Sequence, residues 1–303
     1  MQTQEQVEKN RTGDARLPVV PPDLAALDGQ QTGDVEKLPS LADVGKFLPL
    51  GFRDQTGAIH RDFDLVEWTY ELEEQLGELA SQNQEMTINV YVSEIIAHGL
   101  ARVGTIDVSK MRRSEKRLLV RNMFFSDALY VYIWIRIGAL GPVLKLKSFR
   151  CSSCGKTIEE FSGDLRTLEV RTFDGKVPSR SVTLDQGVLY AGKRLAEFTV
   201  GPVRWAFMET DDPTILSNPA KFKLASIQQG VVALKGAPEG PVYLTAEHLR
   251  SMQPREINVL VREIDQCGGG PVMEIRDTCP KCRREFRQAV NWSYEGFFAP
   301  SSQ

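Results

Sequence analysis

The stretches FRCSSCGKTIEEF at residues 149–161 and TCPKCRREF at residues 278–286 each carry two cysteines in the spacing C-x-x-C. Such a turn presents two thiolates from one tight knuckle, and two knuckles that face each other complete the four ligands of a tetrahedral metal ion. The spacing therefore predicts one zinc site, whose ligands are Cys151, Cys154, Cys279 and Cys282.

Residues beside the cysteine pairs fit a four-thiolate site. Gly155 follows the first pair and suits the geometry in which backbone N–H groups donate to sulfur in a knuckle, while Lys281 and Arg283 beside the second pair would offset the negative charge of four thiolates. Four cysteine ligands leave no position for water or substrate, so the predicted zinc is structural. A redox dithiol, an iron–sulfur cluster, and unmetallated thiols or disulfides remain as alternatives. The fifth cysteine, Cys267, stands alone and is expected to be a small buried hydrophobe or a bystander in a flexible glycine segment.

Similar patterns precede both cysteine pairs, which predicts an internal duplication. The matched segments are 57–63 with 192–198, 111–121 with 252–262, and 141–151 with 270–279. In this alignment the second copy lacks most of the apolar helix predicted at Leu129–Leu140. A groove that faces solvent or a partner is expected in its place.

These patterns predict an α+β fold built from two diverged copies of a hairpin–helices–strand–zinc-knuckle module, joined through a shared zinc-ribbon-like site. The predicted organisation is a flexible N-terminal arm at 1–45, a first module at 46–162, a connector at 163–182, a second module at 183–290 and an aromatic tail at 291–303. Thr87 and Ser126 are expected to cap two helices of the first module.

Composition and charge limit the function classes. The chain has 303 residues and a formal net charge of −3, so the strongly basic surface typical of nucleic-acid-binding proteins is absent overall. The N-terminus has no apolar signal-peptide core, and the longest apolar run is interrupted by Arg136. We therefore expect cytoplasmic synthesis without membrane insertion.

No catalytic motif is found. His60, His98 and His248 have no motif partners, and the sequence contains no G-x-S-x-G, H-E-x-x-H or Walker loop. We therefore predict no enzyme activity, no catalytic residues and no small-molecule substrate.

The C-terminal stretch NWSYEGFFAPSS at residues 291–302 is rich in aromatic side chains. Aromatic residues often anchor protein interfaces. Two interpretations remain open, packing onto the chain's own groove or docking of another subunit, for Trp292, Tyr294, Phe297 and Phe298.

Several of these features together resemble a known family. A hairpin that opens with LPLG, the segment SDALYVYIWIRIGALG at 126–141, the two C-x-x-C pairs and the aromatic ending look like the baseplate and tail-assembly proteins of contractile-tailed bacteriophages and phage-tail-like contractile injection systems. The resemblance covers most of residues 46–298. It implies a structural or assembly role without enzyme activity, other baseplate or tail subunits as partners, and assembly into a virion or phage-tail-like particle.

A second hypothesis is a zinc-ribbon protein that binds nucleic acid. The stretches at residues 112–117, 145–150 and 281–287 would then form a basic face around the metal. The net negative charge of the chain makes nucleic acid the less favoured partner. A third hypothesis, a redox enzyme, predicts fast thiol reactivity in the metal-loaded protein.

Overall fold

The structure is a computed structural model that describes residues 38–83, 86–146, 148–159, 161–173, 177–209, 215, 218–238, 242–293 and 297–298. The predicted N-terminal arm lies outside the described residues up to residue 37. Its last part belongs to the folded body, because Leu41 is fully buried in the core.

Helices and antiparallel strands alternate along the described chain, which confirms the α+β class. The helices are α1 (Leu41–Val44), α2 (Tyr70–Gln82), α3 (Ile88–Gly99), α4 (Arg113–Asn122), α5 (Phe125–Leu140), α6 (Pro219–Gly230), α7 (Ala246–Arg250) and α8 (Pro254–Gly268), with short 3-10 helices at Leu165–Thr167 and Trp205–Met208. The strands are β1 (Phe47–Arg53), β2 (Ile59–Leu65), β3 (Leu100–Val103), β4 (Ile106–Asp107), β5 (Val143–Leu146), β6 (Phe149–Arg150), β7 (Thr157–Ile158), β8 (Phe161–Asp164), β9 (Val170–Arg171), β10 (Arg180–Tyr190), β11 (Lys193–Val200), β12 (Val231–Leu234), β13 (Gly270–Pro271), β14 (Glu274–Thr278) and β15 (Glu285–Ala289). None of the described helices is long and apolar enough to cross a membrane.

Two sheets organise the two halves of the chain, in the orders β1-β2-β3-β4 and β10-β11-β12. Register pairs of the first sheet are Phe47–Asp62, Phe52–His60, Arg53–Ile59, Phe63–Val103, Asp64–Arg102 and Leu65–Leu100. Register pairs of the second sheet include Thr183–Glu197, Val188–Leu195, Leu189–Arg194, Phe198–Leu234, Thr199–Ala233 and Val200–Val231. The pairs correspond one to one, with breaks in register at the same two places.

A buried carboxyl group holds each hairpin at its first break in register. Asp127, the third residue of α5, accepts the N–H of Leu50 at 2.9 Å, beside Gly51 in β1. Glu256, the third residue of α8, accepts the N–H of Gln186 at 2.7 Å and that of Gly187. Each break contains a glycine with positive φ, which a side chain would strain.

Helices α3 and α6 also occupy matching positions, since each has 12 residues and runs directly into the third strand of its sheet. Each ends in a glycine against the last helix of its half. A Cβ atom would lie 2.5 Å from Ile135 at Gly99 and 2.6 Å from Ile264 at Gly230. The absence of a side chain therefore permits close helix packing in both halves.

The structure corrects the predicted alignment of the last helices. Helix α8 continues to Gly268, through part of the predicted glycine-rich gap, and packs on β10 and β11. Among the described residues, α8 lies where the groove was expected, against β10 and β11 as α5 lies against β1. Matching α8 with α5 instead aligns Met252 with Met123 and Gly270 with Gly141 without a gap.

The predicted helix starts are partly correct. Thr87 is the N-cap of α3, as expected, and its side chain accepts the N–H of Val90. Ser126 does not cap its helix, because α5 already begins at Phe125.

Three clusters of buried side chains form the interior. The first lies around α3 and α5 and includes the later residues Trp205, Ile275, Val290 and Phe297. The second contains only residues between Val182 and Cys267. The third is small and surrounds the cysteine pairs.

Candidate metal centre

Two short hairpins position the cysteines. Cys151 and Cys154 lie in the turn between β6 and β7, and Cys279 and Cys282 lie in the turn between β14 and β15. Because each connection between the paired strands is short, both cysteines of a pair lie in one tight turn.

The two knuckles have the same backbone geometry. The residue after the second cysteine donates its N–H to the carbonyl of the first, from Gly155 to Cys151 at 2.9 Å and from Arg283 to Cys279 at 2.8 Å. This residue has a left-handed backbone, with φ of 70° at Gly155 and 55° at Arg283. Glycine adopts this backbone readily at Gly155, whereas Arg283 adopts it as a non-glycine residue.

The four sulfur atoms form one compact group. The Sγ atoms of Cys151 and Cys282 lie 3.9 Å apart, those of Cys154 and Cys279 lie 3.7 Å apart, and all four lie within 4.8 Å of one another. A tetrahedral ion with bonds of about 2.3 Å separates its sulfur ligands by about 3.8 Å. The spacing greatly exceeds a disulfide bond of about 2.05 Å. The predicted ligands are therefore brought together in an arrangement that can hold one metal ion.

Backbone N–H groups prepare two of the thiols to be anions. Hydrogen bonds from the N–H groups of Cys282 and Lys281 lower the pKa of Cys279 to about 6. Hydrogen bonds from the N–H groups of Cys154 and Ser153 likewise lower the pKa of Cys151.

A third thiol behaves in the opposite way. The N–H of Arg284 lowers the pKa of Cys282, but burial and the neighbouring cysteines together raise it to about 11. Several negative charges cannot gather here without a compensating cation, which is what a divalent metal supplies.

Apolar packing closes the site on its inner side. Cys151 and Cys279 are almost fully buried, and Cys154 and Cys282 are half-buried. The rings of Phe161 and Phe286 meet edge to face at 5.3 Å beside them. With all four ligand positions filled by sulfur, the arrangement suits a structural ion.

The cluster joins parts of the chain that are far apart in sequence. Cys151 and Cys282 are separated by 131 residues, and Cys154 and Cys279 by 125. Cys267 lies elsewhere, fully buried in α8, with its Sγ 3.8 Å from the carbonyl oxygen of Val200. It takes no part in the metal cluster.

Most of the described aromatic tail packs onto the chain itself. Phe297 is 2% exposed and stacks on Tyr132 of α5, and Phe298 contacts Trp68 and Tyr132. Trp292 packs against Phe125 and Trp205. In this conformation the ring of Phe297 belongs to the core and is not exposed to a partner. Tyr294 lies outside the described residues.

The structure also contains a buried network of ion pairs that the sequence did not predict. Glu94 in α3 is fully buried and pairs with Arg113 at 2.7 Å, while Arg117 pairs with Glu209 at 2.8 Å. Arg117 also reaches Glu94 at 3.5 Å, so the pairs form one network. The side chain of Glu209 is also buried, with only 2% exposed. The network fixes α4 between α3 and the Trp205–Met208 turn.

The three histidines make local contacts. His60 lies 2.8 Å from Asp54 in the first hairpin turn, His98 contacts the carbonyl of Glu94, and His248 accepts the N–H of Thr245 at the start of α7. Each therefore has a position that turn and helix geometry explains.

No protein-family model, curated protein or solved structure matches this chain.

Proposed function

We propose that this protein is a non-enzymatic structural or assembly component whose two halves are joined by a structural zinc ion. The observation that carries the proposal is the closed group of four cysteine sulfurs, two from each half of the chain. A metal held in this way has no open position for a substrate. Its effect is to fix the position of β14 and β15 against the chain around β6 and β7.

Zinc is the metal that best suits these ligands. It favours a tetrahedral set of thiolates and has no redox chemistry that would make the joint sensitive to electron transfer. A cluster of several irons would hold its ligands farther apart than this compact group allows. Structural zinc sites contribute about 10–16 kcal/mol, which is comparable with the stability of a whole domain.

We further propose that the chain consists of two diverged copies of one module, each ending in a zinc knuckle. The matched strand registers support this, because every described pair between β1 and β2 or between β2 and β3 has a counterpart in the β10-β11-β12 sheet. The paired carboxyl groups Asp127 and Glu256 support it as well, since both bond the backbone beside a bulge glycine. Independent folds have no reason to share these irregular details.

The assembly in which the protein acts is proposed from its resemblance to baseplate and tail-assembly proteins. We propose that its partners are other baseplate or tail subunits of a contractile phage tail or injection system. A zinc-stapled body without a catalytic constellation is suited to holding subunits together, because its surface geometry stays fixed.

The metal is tested by purifying the protein and measuring its zinc content by elemental analysis. We expect about one zinc per chain, and Cys279→Ser is expected to lose the metal and the docking of the two halves. Cys267→Ala is the matched control, because it removes a buried thiol outside the cluster and should retain zinc. Unchanged zinc content in Cys279→Ser would sink the proposed site.

The assembly role is tested by deleting the gene from the phage or cell that carries it and imaging lysates by electron microscopy. Loss or misassembly of tail-like particles, restored by the wild type and by Cys267→Ala but not by Cys279→Ser, is expected. Normal particles after deletion would overturn the assembly role while leaving the zinc site intact.

Nucleic-acid binding is the second candidate, because Arg150 and Arg287 lie on one surface beside the metal. The third basic stretch of that hypothesis is on α4, where Arg113 and Arg117 are paired with the buried Glu94. This pairing reduces their availability to phosphate groups. Binding to oligonucleotides that weakens steeply with salt would favour this candidate.

A further inference from the structure

A groove runs along β15 on the outside of the metal centre. It has a volume of about 360 Å³ and is lined by Arg150, Ser152 and the four consecutive residues from Glu285 to Gln288. Successive side chains of a strand point to opposite faces, so a groove over one face would be lined by alternate residues. Four consecutive lining residues indicate that the groove follows the edge of the strand.

The hydrogen bonds at the two ends of the β14–β15 pair show which backbone groups face that edge. Cys279 donates its N–H to Arg284, and Val290 donates its N–H to Met273. In an antiparallel pair, residues bond to the partner strand alternately. Phe286 and Gln288 therefore bond to β14.

The alternate residues of β15 face the other way. The backbone N–H and C=O groups of Glu285, Arg287 and Ala289 point away from β14, and β14 is the one strand with which β15 pairs in the described chain. No described hydrogen bond uses these groups. They form an exposed row of donors and acceptors at the spacing of an incoming strand.

Charge on this surface favours an acidic partner. In residues 148–159 and 274–289 the basic residues are Arg150, Lys156, Arg276, Lys281, Arg283, Arg284 and Arg287, and the acidic ones are Glu159, Glu274, Asp277 and Glu285. Acidic residues outnumber basic ones in the whole chain, 40 against 37. Of these basic residues, Arg150 and Arg287 line the groove. Arg150 also donates to the carbonyl of Gly155, and Arg287 lies 3.8 Å from Glu274, whose side chain is partly exposed.

We propose that an extended, acidic segment of a protein partner binds here by adding a strand to the outer edge of β15. Its backbone pairs with Glu285, Arg287 and Ala289, and its carboxylates meet Arg150 and Arg287. The inference rests on the proposed function, since an assembly component has protein partners. A peptide fits better than nucleic acid, because Glu285 lines the groove and the Phe286 ring is too buried for base stacking.

Amide hydrogen exchange measured by NMR on the zinc-loaded full chain tests the edge itself. We expect fast exchange at Glu285 and Arg287 and slow exchange at Phe286 and Gln288, because the latter pair bonds to β14. Slow exchange at all four amides in the protein alone would show that the edge is already covered and would overturn the proposal.

Binding is tested with a synthetic probe, a fluorescent peptide of about ten residues that alternates valine and glutamate. We expect it to bind and to slow exchange at Glu285 and Arg287. Two probes serve as controls: the same peptide with lysine for glutamate, and the acidic peptide N-methylated at alternate residues, which lacks donors along one edge. Both should bind at least about tenfold more weakly.

Charge reversal locates the site. Arg287→Glu should weaken binding of the acidic peptide by about fivefold or more, with unchanged zinc content. Arg150 is left in place, because its Nε donates to the carbonyl of Gly155 in the first knuckle. Lys193→Glu makes the same charge change on the β10–β11 hairpin and should have little effect.

Besides slow exchange at all four amides, three binding results would overturn the proposal: no binding of the acidic peptide, equal binding of its N-methylated form, or tighter, groove-dependent binding of single-stranded oligothymidine. None of them touches the zinc content or the particle phenotype, so the proposed function is tested separately.

Discussion

Helices α5 and α8 occupy the same place in their two halves, yet their surroundings differ. Helix α5 is buried nearly all round, whereas α8 keeps buried residues on one side, among them Leu260, Val261 and Ile264. The difference arises from what covers the outer side of α5. Trp205, Trp292 and Phe297 from later in the chain pack there, and α8 has no such cover among the described residues.

The comparison teaches that the two halves differ in independence. The second half closes its core with its own residues, from Val182 to Cys267. The first half is completed by residues from the second half and beyond. The second half is therefore a self-contained unit, whereas the core of the first half also takes in side chains from the rest of the chain.

The largest effect is expected when the two halves are produced as separate fragments. A fragment of residues 177–270 should fold alone, with cooperative thermal unfolding followed by circular dichroism. A fragment of residues 38–173 should aggregate or stay molten, because α5 would expose apolar side chains on its uncovered face. Cooperative unfolding of the isolated fragment 38–173 would contradict the proposed asymmetry.

The bulge glycines test how far the two hairpins are equivalent. A Cβ at Gly187 would lie 2.0 Å from the backbone oxygen of Leu195, whereas at Gly51 it would lie 2.7 Å from a side-chain atom of Ile59. Backbone cannot move aside as a side chain can. We expect Gly187→Ala to cost about 3–5 kcal/mol and Gly51→Ala about 1–3 kcal/mol in denaturant unfolding. Equal losses of stability in the two variants would contradict this expectation, because they would mean that the backbone at Gly187 relaxes as easily as the side chain near Gly51.

The buried carboxyl group of Asp127 is expected to make the stability of the first half depend on pH. Burial raises its pKa to about 7, although the N–H groups of Leu50 and Gly51 and the charge of Arg61 act against this. In the unfolded chain an aspartate titrates near about 3.9. Its contribution to stability is therefore complete below about pH 4 and is lost as the pH rises through about 7.

Asp127→Asn is expected to remove this dependence, because the amide stays neutral while its oxygen can still accept the same N–H groups. Between about pH 4 and 7 the stability of the wild type relative to the variant should fall by up to about 1.4 kcal/mol per pH unit. Parallel curves of unfolding free energy against pH would contradict the expectation.

The smallest expected effect compares the two knuckles. Arg283 has the left-handed backbone that glycine provides at the matching Gly155. Arg283→Gly should relieve about 1 kcal/mol of strain, partly offset by the greater freedom of glycine in the unfolded chain. Gly155→Ala should destabilise by a similar amount. Thermal unfolding of the zinc-loaded variants measures both, and destabilisation by Arg283→Gly would mean that its side chain contributes more than the strain costs.

Local signals explain what could be predicted from the sequence. A C-x-x-C turn and the N-cap Thr87 each depend on a few neighbouring residues, so the clustering of the four cysteines and the start of α3 were predicted correctly. The alignment of the last helices was misplaced, because burial gives α5 and α8 different hydrophobic patterns. What α5 and α8 share is a carboxyl group, Asp127 or Glu256, that accepts a backbone N–H of the hairpin. This contact is between residues far apart in sequence, so a local pattern does not predict it.

Long-range pairing explains what was missed. Glu209 reads as part of an acidic loop, and its partner Arg117 lies 92 residues earlier. The packing of the aromatic tail could not be predicted either, because Phe297 stacks on Tyr132 of α5, which lies far from it in sequence. Such contacts follow from the assembled tertiary structure and not from the segments themselves.

The burial of α5 has a consequence for the order of events during synthesis. The Arg136 guanidinium donates to the carbonyl of Phe297, which leaves the ribosome 161 residues later. Helix α5 therefore stays incompletely covered until the later residues have been synthesised. During this interval the nascent chain is a natural client for chaperones, while the second half can fold as soon as it has been made.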